Sequence, residues 1–389
     1  MKHPFQAIAS NAEYVFAVSK NSIHAYRIHS DSLELATSWT DETDQRTLLK
    51  EQQDQKIKEG NLKKTPKIPV PGPGAPPIYN FIRTVNVFER YVVLTVDMDK
   101  SVVVFELTND ESVWRLLKRQ RFPKRPDSVT MIDDHTVLMG DKFGDVYAMD
   151  VSSPPQTEAF KPVLGHVSML TSVCSATNNG RQYVISGDRD EHIRVTNYPK
   201  TFVIDKWLFG HKEFVSSLTV PKKYGNVLVS GGGDDYFCVW DWTDGTLKQK
   251  IEYGKQIENY FKEGILSPEV CPLIFKEGAL VELCITLIVS HEDFLVVTIE
   301  GCNIALIYKF EQELVFSHYL AVDEPILSLT ITPAGKIVVG TDSEKLYLRS
   351  LVGEDQTAVL IPENLTEISE NSPKMPLYAT SHLRKGAMF

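Results

Sequence analysis

A period of about 44 residues runs through this 389-residue chain and leaves it few ways to fold. Gly165-His166 and Gly210-His211 lie 45 residues apart. Asp190-Glu-His-Ile-Arg-Val-Thr-Asn197 matches Asp234-Asp-Tyr-Phe-Cys-Val-Trp-Asp241, 44 residues later. Asp97 to Phe105 matches Asp141 to Met149 at the same interval, and a weaker copy ends at Thr341-Asp-Ser-Glu-Lys-Leu-Tyr-Leu348. Inside each copy, short alternating apolar runs are bounded by Gly, Asp, Asn or Pro, the pattern of strands joined by tight turns. Helical periodicity is hard to find outside 42–58. Repeats of this length build one continuous body rather than a string of independent domains.

Gly-His early and Trp-Asp late in such a period is the signature of WD-repeat blades. The expected fold is therefore an all-β, WD-repeat β-propeller, a single domain over residues 1–389. Segments of 40–45 residues give seven blades, starting near Tyr14, Asn80, Arg121, His166, His211, Val281 and Val322. One blade carries a complete structural tetrad at the expected spacing: His211, Ser230, Asp234 and Trp240. The blade before it has His166, Ser186 and Asp190, but Thr196 in the Trp slot. Phe5–Ala9 is expected to pair as the outer strand of the last blade, closing the ring and removing its open edge.

Three stretches break the period. Residues 40–77 become lysine-rich (Lys56, Lys58, Lys63, Lys64, Lys67) and end in Pro69-Val-Pro-Gly-Pro-Gly-Ala-Pro-Pro77, which predicts a largely disordered, flexible inserted loop. Residues 251–279 form a long inter-strand insertion whose aromatics (Tyr253, Tyr260, Phe261, Phe275) are expected to pack on the propeller. The tail, 370–389, is expected to dock or to face a partner.

Composition narrows the functional classes. Apolar residues make up 42% and charged residues 24%, enough for a sizeable core. The net charge of −10 argues against tight unaided nucleic-acid binding, which needs a dense basic surface. No apolar run reaches the roughly 18–20 residues of a membrane span, and Met1-Lys2-His3-Pro4 lacks a signal-peptide core. The five cysteines show no CxxC pair and no zinc spacing, so they are expected to be reduced core residues in a nuclear or cytosolic protein.

Motifs for chemistry fail one by one. Gly72-Pro-Gly74 is interleaved with prolines and opens no helix, so it lacks the amides that cradle a phosphate. Gly231-Gly-Gly233 leads into a turn at Asp234, and Gly335-Lys336 is a hairpin. There is no G-x-S-x-G elbow, no HExxH helix and no metal spacing among the ten histidines. The reading is a non-enzyme without cofactor or metal, whose rims are rigid binding surfaces.

The most charged blade segment, Asp188-Arg-Asp-Glu-His-Ile-Arg194, alternates so that His192 and Arg194 share the face opposite Ile193 and Val195. Arg194 aligns with Cys238, so the repeat does not demand its charge. It is either a solvated strand edge with an internal ion pair or a basic anchor for a partner's carboxylate. Trp207 and Phe209 precede a Gly-His loop and are expected in the core, with Lys206 exposed. Lys118, Arg119, Arg121, Lys124 and Arg125 form a compact basic cluster, either a solvated inter-blade loop or a phosphate contact for tRNA.

Several longer strings are more specific than any blade motif: Pro73-Gly-Ala-Pro-Pro-Ile-Tyr79, Lys124-Arg-Pro126, Asp141-Lys-Phe-Gly-Asp-Val-Tyr147 and Leu164-Gly-His-Val-Ser-Met-Leu170. Asp188 to Arg194 and Asp205-Lys-Trp-Leu-Phe-Gly-His-Lys-Glu-Phe-Val-Ser216 follow in order. Together they resemble the fungal WD-repeat non-catalytic subunit of the tRNA (guanine-N7)-methyltransferase. The likeness is dense from about 73 to 242, returns at Pro376-Leu-Tyr378 and Leu383-Arg-Lys385, and is weak from 251 to 370.

That resemblance implies an accessory role. A separate Rossmann-type subunit binds S-adenosylmethionine and methylates a guanine in the tRNA variable loop. The propeller pairs with it as a heterodimer and keeps it competent, and tRNA is met mainly through that partner. By motif position the resemblance assigns the partner anchor to Arg194, where the yeast-like form carries Lys. Lys142, His166, Arg189, Asp190, His192 and Lys206 extend the expected interface. A nuclear, and also cytoplasmic, location is expected. The other readings are a general WD-repeat scaffold or ubiquitin-ligase substrate receptor, an independent tRNA-binding protein, and an enzyme by an unrecognised route.

Overall fold

The computed structural model describes residues 4–384 apart from 31, 59, 61–79, 109–111, 159, 277–278, 281, 344, 352–357 and 361–376. Seven four-stranded antiparallel sheets succeed one another, spanning 7–40, 82–121, 126–165, 170–208, 215–252, 285–321 and 326–360. We number them blades 1 to 7. In every blade the strands pair in sequence order, innermost to outermost. The two middle strands are nearly continuous buried apolar runs, such as Tyr91–Val96 and Ser101–Leu107. They are covered on both faces by the neighbouring blades, which removes the in–out alternation of a one-sided sheet.

Ring closure differs from the expectation. Ala7–Ser10 pairs with Tyr14–Ser19 as the innermost strand of blade 1, and is not the outer strand of blade 7. Blade 7 supplies its own fourth strand, Ala358–Leu360. The seam is closed by packing and side chains instead. Phe5, Ile8, Val15 and Tyr26 meet Val338, Leu346 and Leu348 in one buried cluster. The Ile8 amide donates to Ser328 Oγ at 2.9 Å, and Ser10 Oγ meets Thr330 Oγ1 at 2.9 Å.

The first insertion also needs correcting where it is described. Gln45–Lys58 is a 14-residue helix, α1, rather than flexible loop. No Gly or Pro falls within it, its Gln, Leu, Lys and Glu residues favour helix, and Asp44 caps it by accepting from the Thr47 amide. The expected proline-rich stretch lies outside the described residues. The second insertion carries helix α2, Gly254–Lys262. Tyr253, Ile257, Leu266, Cys271 and Ile274 bury themselves in the core between blades 5 and 6, so this segment packs on the propeller.

Candidate partner-binding surface

The tetrad of blade 5 is a continuous relay. The Trp240 indole donates to Ser230 Oγ at 2.8 Å, Ser230 Oγ lies 2.7 Å from His211 Nε2, and His211 Nδ1 lies 2.8 Å from Asp234. Indole is a donor only, so the proton direction follows: Ser230 donates to Nε2 and Nδ1–H donates to the carboxylate. Burial alone would raise the Asp234 carboxyl. Hydrogen bonds from His211, Tyr236 and the Lys212 amide outweigh that and hold it below the usual carboxylate range. The His–Asp pair is structural.

Blade 4 runs the same relay with different parts. His166 Nε2 meets Ser186 Oγ at 2.7 Å, and Nδ1 meets Asp188 at 2.9 Å. The acid is Asp188, not Asp190 as the spacing suggested. Asp188 ends its strand and also accepts from the Asp190 and His192 amides, making the turn itself the histidine's anchor. Asp141 accepts from the Phe143 and Asp145 amides at the same place in blade 3. Asp190 is left exposed on the turn. The relay stops at Ser186, because Thr196 in the Trp slot is buried with no hydrogen bond to its hydroxyl.

Arg194 lies two residues before Thr196 on the same strand, Ile193–Tyr198. It stands opposite Ser186 and Trp207 in the sheet and is 6% exposed. Its Nη1 donates to the Gly165 carbonyl at 2.9 Å, and its guanidinium carbon lies 5.8 Å from the Trp207 ring centroid. In blade 5 the equivalent carbonyl, Gly210 O, receives the Tyr236 hydroxyl at 2.9 Å. Burial pulls the Arg194 guanidinium below its ordinary value, and Asp188 opposes the shift. Arg194 is thus neither a solvated strand edge nor a freely projecting anchor.

Other proposed contacts are also engaged within the chain. His166 is in the relay. Arg189 Nε and Nη2 donate to the carbonyls of Leu383 and Arg384, at 2.8 and 3.1 Å, in the C-terminal segment. Lys206 is not simply exposed: it pairs with Asp205 and donates to Thr243 O at 2.8 Å. The basic cluster is dispersed by strand alternation. Lys118 is buried and donates to Asp150 O and Ser153 O. Arg119 bridges Asp41 and Asp99, and Arg125 lies 3.5 Å from Asp97 and 3.4 Å from Asp127. Arg121 and Lys124 remain exposed, Arg121 at 3.8 Å from Asp99.

What does face outward was largely missed. Trp207 and Phe209, expected in the core, are 37% and 69% exposed, and their rings stack at 6.4 Å. His192 packs edge-on to both, at 5.7 and 6.2 Å. Val167 is fully exposed and Phe143 is 55% exposed. Lys124 and Lys142 bring their ammonium groups to 4.5 and 5.1 Å from the Phe143 ring. One sequence signal was available: Val167 takes the repeat position of Lys212, so the blade does not require an apolar side chain there, whereas Phe209 takes the position of the buried Leu164 and so looked like core. An apolar patch rimmed by cations on the turns of blades 3 and 4 is the arrangement of a protein-docking surface. No group of His, Cys, Asp and Glu that could hold a metal occurs among the described residues.

Fold and repeat pattern together define a seven-bladed WD-repeat propeller. The same fold occurs in a chain of the crystal structure of a mitotic checkpoint complex, with a TM-score of 0.62, 12% identity and 90% of each chain covered. It occurs also in the computationally designed Ika8 protein, with a TM-score of 0.53 and 14% identity over 90% of this chain and 97% of that one. The sequence matches the family described as the tRNA methyltransferase TRM82 WD40 domain over residues 15–162 and 152–356, and the chain belongs to that family. Similar proteins are called tRNA (guanine-N(7)-)-methyltransferase non-catalytic subunit TRM82. The Debaryomyces hansenii protein is 35% identical, with 99% of each chain covered. That of Vanderwaltozyma polyspora is 40% identical over 80% of this chain and 76% of its own. That of Saccharomyces cerevisiae is 40% identical over 68% and 66%.

Proposed function

We propose that this chain is the non-catalytic subunit of a tRNA (guanine-N7)-methyltransferase. It binds the S-adenosylmethionine-dependent catalytic subunit through the patch around Phe143, Val167, His192, Trp207 and Phe209. The supporting observation is that this patch is apolar, exposed and rimmed by cations. Arg194 contributes from beneath, by holding Trp207 in place. A rigid partner can act without touching the reaction. If the catalytic subunit alone holds its active conformation about one per cent of the time, differential binding of about 2.7 kcal/mol brings that conformation to parity. A few aromatic anchors in a desolvated centre supply that much.

The test is methyl transfer to unmodified tRNA by the catalytic subunit, alone, with this chain, and with its Phe209→Asp and Arg194→Glu variants. Activity that needs the wild-type chain and falls with Phe209→Asp supports the reading. Equal activity in all four reactions overturns it.

A further inference from the structure

Arg189 looks, by sequence, like one more cation for a partner. Its guanidinium is instead spent on the C-terminal segment, through the two donor bonds to Leu383 O and Arg384 O. That segment is held from three sides. Leu383 is buried against Phe214 and Cys284, at the start of blades 5 and 6. Arg384 pairs with Glu300 at 2.6 Å and donates to the Glu282 carbonyl at 3.2 Å. The segment lies across the central channel and roofs a cavity of about 170 Å³ lined by the inner strands. Leu383 belongs to none of the seven sheets, which are complete without it.

Arg189 sits in the same turn as His192, the one residue of the docking patch that this turn carries. Its own amide donates to Met169 O at 2.9 Å, while Asp188 holds His166 and the His192 amide. A two-pronged guanidinium on two carbonyls fixes such a turn in a way a single ammonium does not. We propose that the C-terminal segment is a strap that sets the geometry of the partner-binding turn, with Arg189 as its positioning residue. The strap links blade 4 to blades 5 and 6, so the turn reaches a partner already ordered and loses less entropy on docking. This inference rests on the partner-face reading above, but its first test does not.

In the full chain, Leu383→Asp places a carboxylate in the apolar seat and releases the strap. Amide exchange of residues 188–192 in the free protein should then quicken by about tenfold or more, with strands of the blades unchanged. Arg189→Ala should do the same, and Arg189→Lys should fall between. With the catalytic subunit present, each of Leu383→Asp and Arg189→Ala should weaken binding about tenfold, and the double variant no further than the larger single loss. Unchanged exchange at 188–192 overturns the strap. Losses that multiply in the double variant overturn the positioning role and make Arg189 a direct partner contact. A wild-type chain that binds no catalytic subunit overturns the proposed function while the exchange result still decides the strap.

Discussion

Asp188 Oδ2 lies 2.9 Å from His166 Nδ1, while its Oδ1 accepts the amides of Asp190 and His192. One carboxylate therefore ties the buried relay of blade 4 to the turn that presents His192 to solvent. His166 and the amides hold that carboxyl below the usual range, although burial on its own would raise it. The structural histidine and the outward one are coupled through a single side chain.

The two relays differ in how many partners depend on the serine. In blade 5, Ser230→Ala leaves both the Trp240 indole and His211 Nε2 without their shared partner. In blade 4, Ser186→Ala strands only His166. Each buried group left unpaired costs about 1–3 kcal/mol. Urea denaturation should show the larger loss for Ser230→Ala, and equal losses would contradict the relay described here.

Binding and stability should separate at the patch. Phe209→Asp and Val167→Asp alter side chains that are already in solvent, so the melting midpoint should hold within about 2 °C. Affinity for the catalytic subunit should fall by about 2 kcal/mol, roughly thirtyfold, as for a central anchor. Calorimetric titration measures this, and affinity unchanged by both variants would remove the patch from the interface.

Arg119 should behave as a structural residue and not as a tRNA contact. Arg119→Met would leave buried Asp41 without its guanidinium and buried Asp99 with only the more distant Arg121, at 3.8 Å. Removing one member of a buried ion pair costs about 3–5 kcal/mol. Chemical denaturation should show that loss, while the salt dependence of tRNA binding by the assembled complex stays the same. A changed salt slope with unchanged stability would reverse the assignment.

Acid should destabilise the protein in two steps. His24 is buried, and desolvation pulls its imidazole below the ordinary value of 6.5. As pH falls below about 6.5, the unfolded chain takes up a proton that folded His24 resists, so stability drops until the folded value is reached. Asp188 and Asp234 act lower: their contribution is present above an unfolded value of 3.8 and is lost as pH falls through their depressed folded values. His24→Gln should flatten the stability profile near pH 6 and leave the acid limb below pH 4. A profile unaltered near pH 6 would show that His24 titrates normally.

Which parts were legible follows from how local their causes are. Strand runs and turns are written in a few neighbouring residues, and the tetrad of blade 5 needs only the correct spacing of His211, Ser230, Asp234 and Trp240. The exchange of Asp188 for Asp190 was not legible, because it turns on which carboxylate the backbone of one turn aims inward. Trp207 and Phe209 misled for a related reason: hydrophobicity predicts burial only if a neighbouring blade covers the side chain, and here none does.

The sequence by itself determined the period, the all-β class, the seven blades and the family, since each is repeated or spelled out along the chain. Only the tertiary structure decided how the ring closes and which cations remain available. Ala7–Ser10 joins blade 1 because its own hairpin neighbour, Tyr14–Ser19, lies close in sequence and pairs at small entropic cost. The fates of Arg194, Arg189, Lys118 and Arg119 depend on carbonyls and carboxylates brought from 20 to 195 residues away. A charge at such a distance in sequence is invisible until the blades are placed side by side.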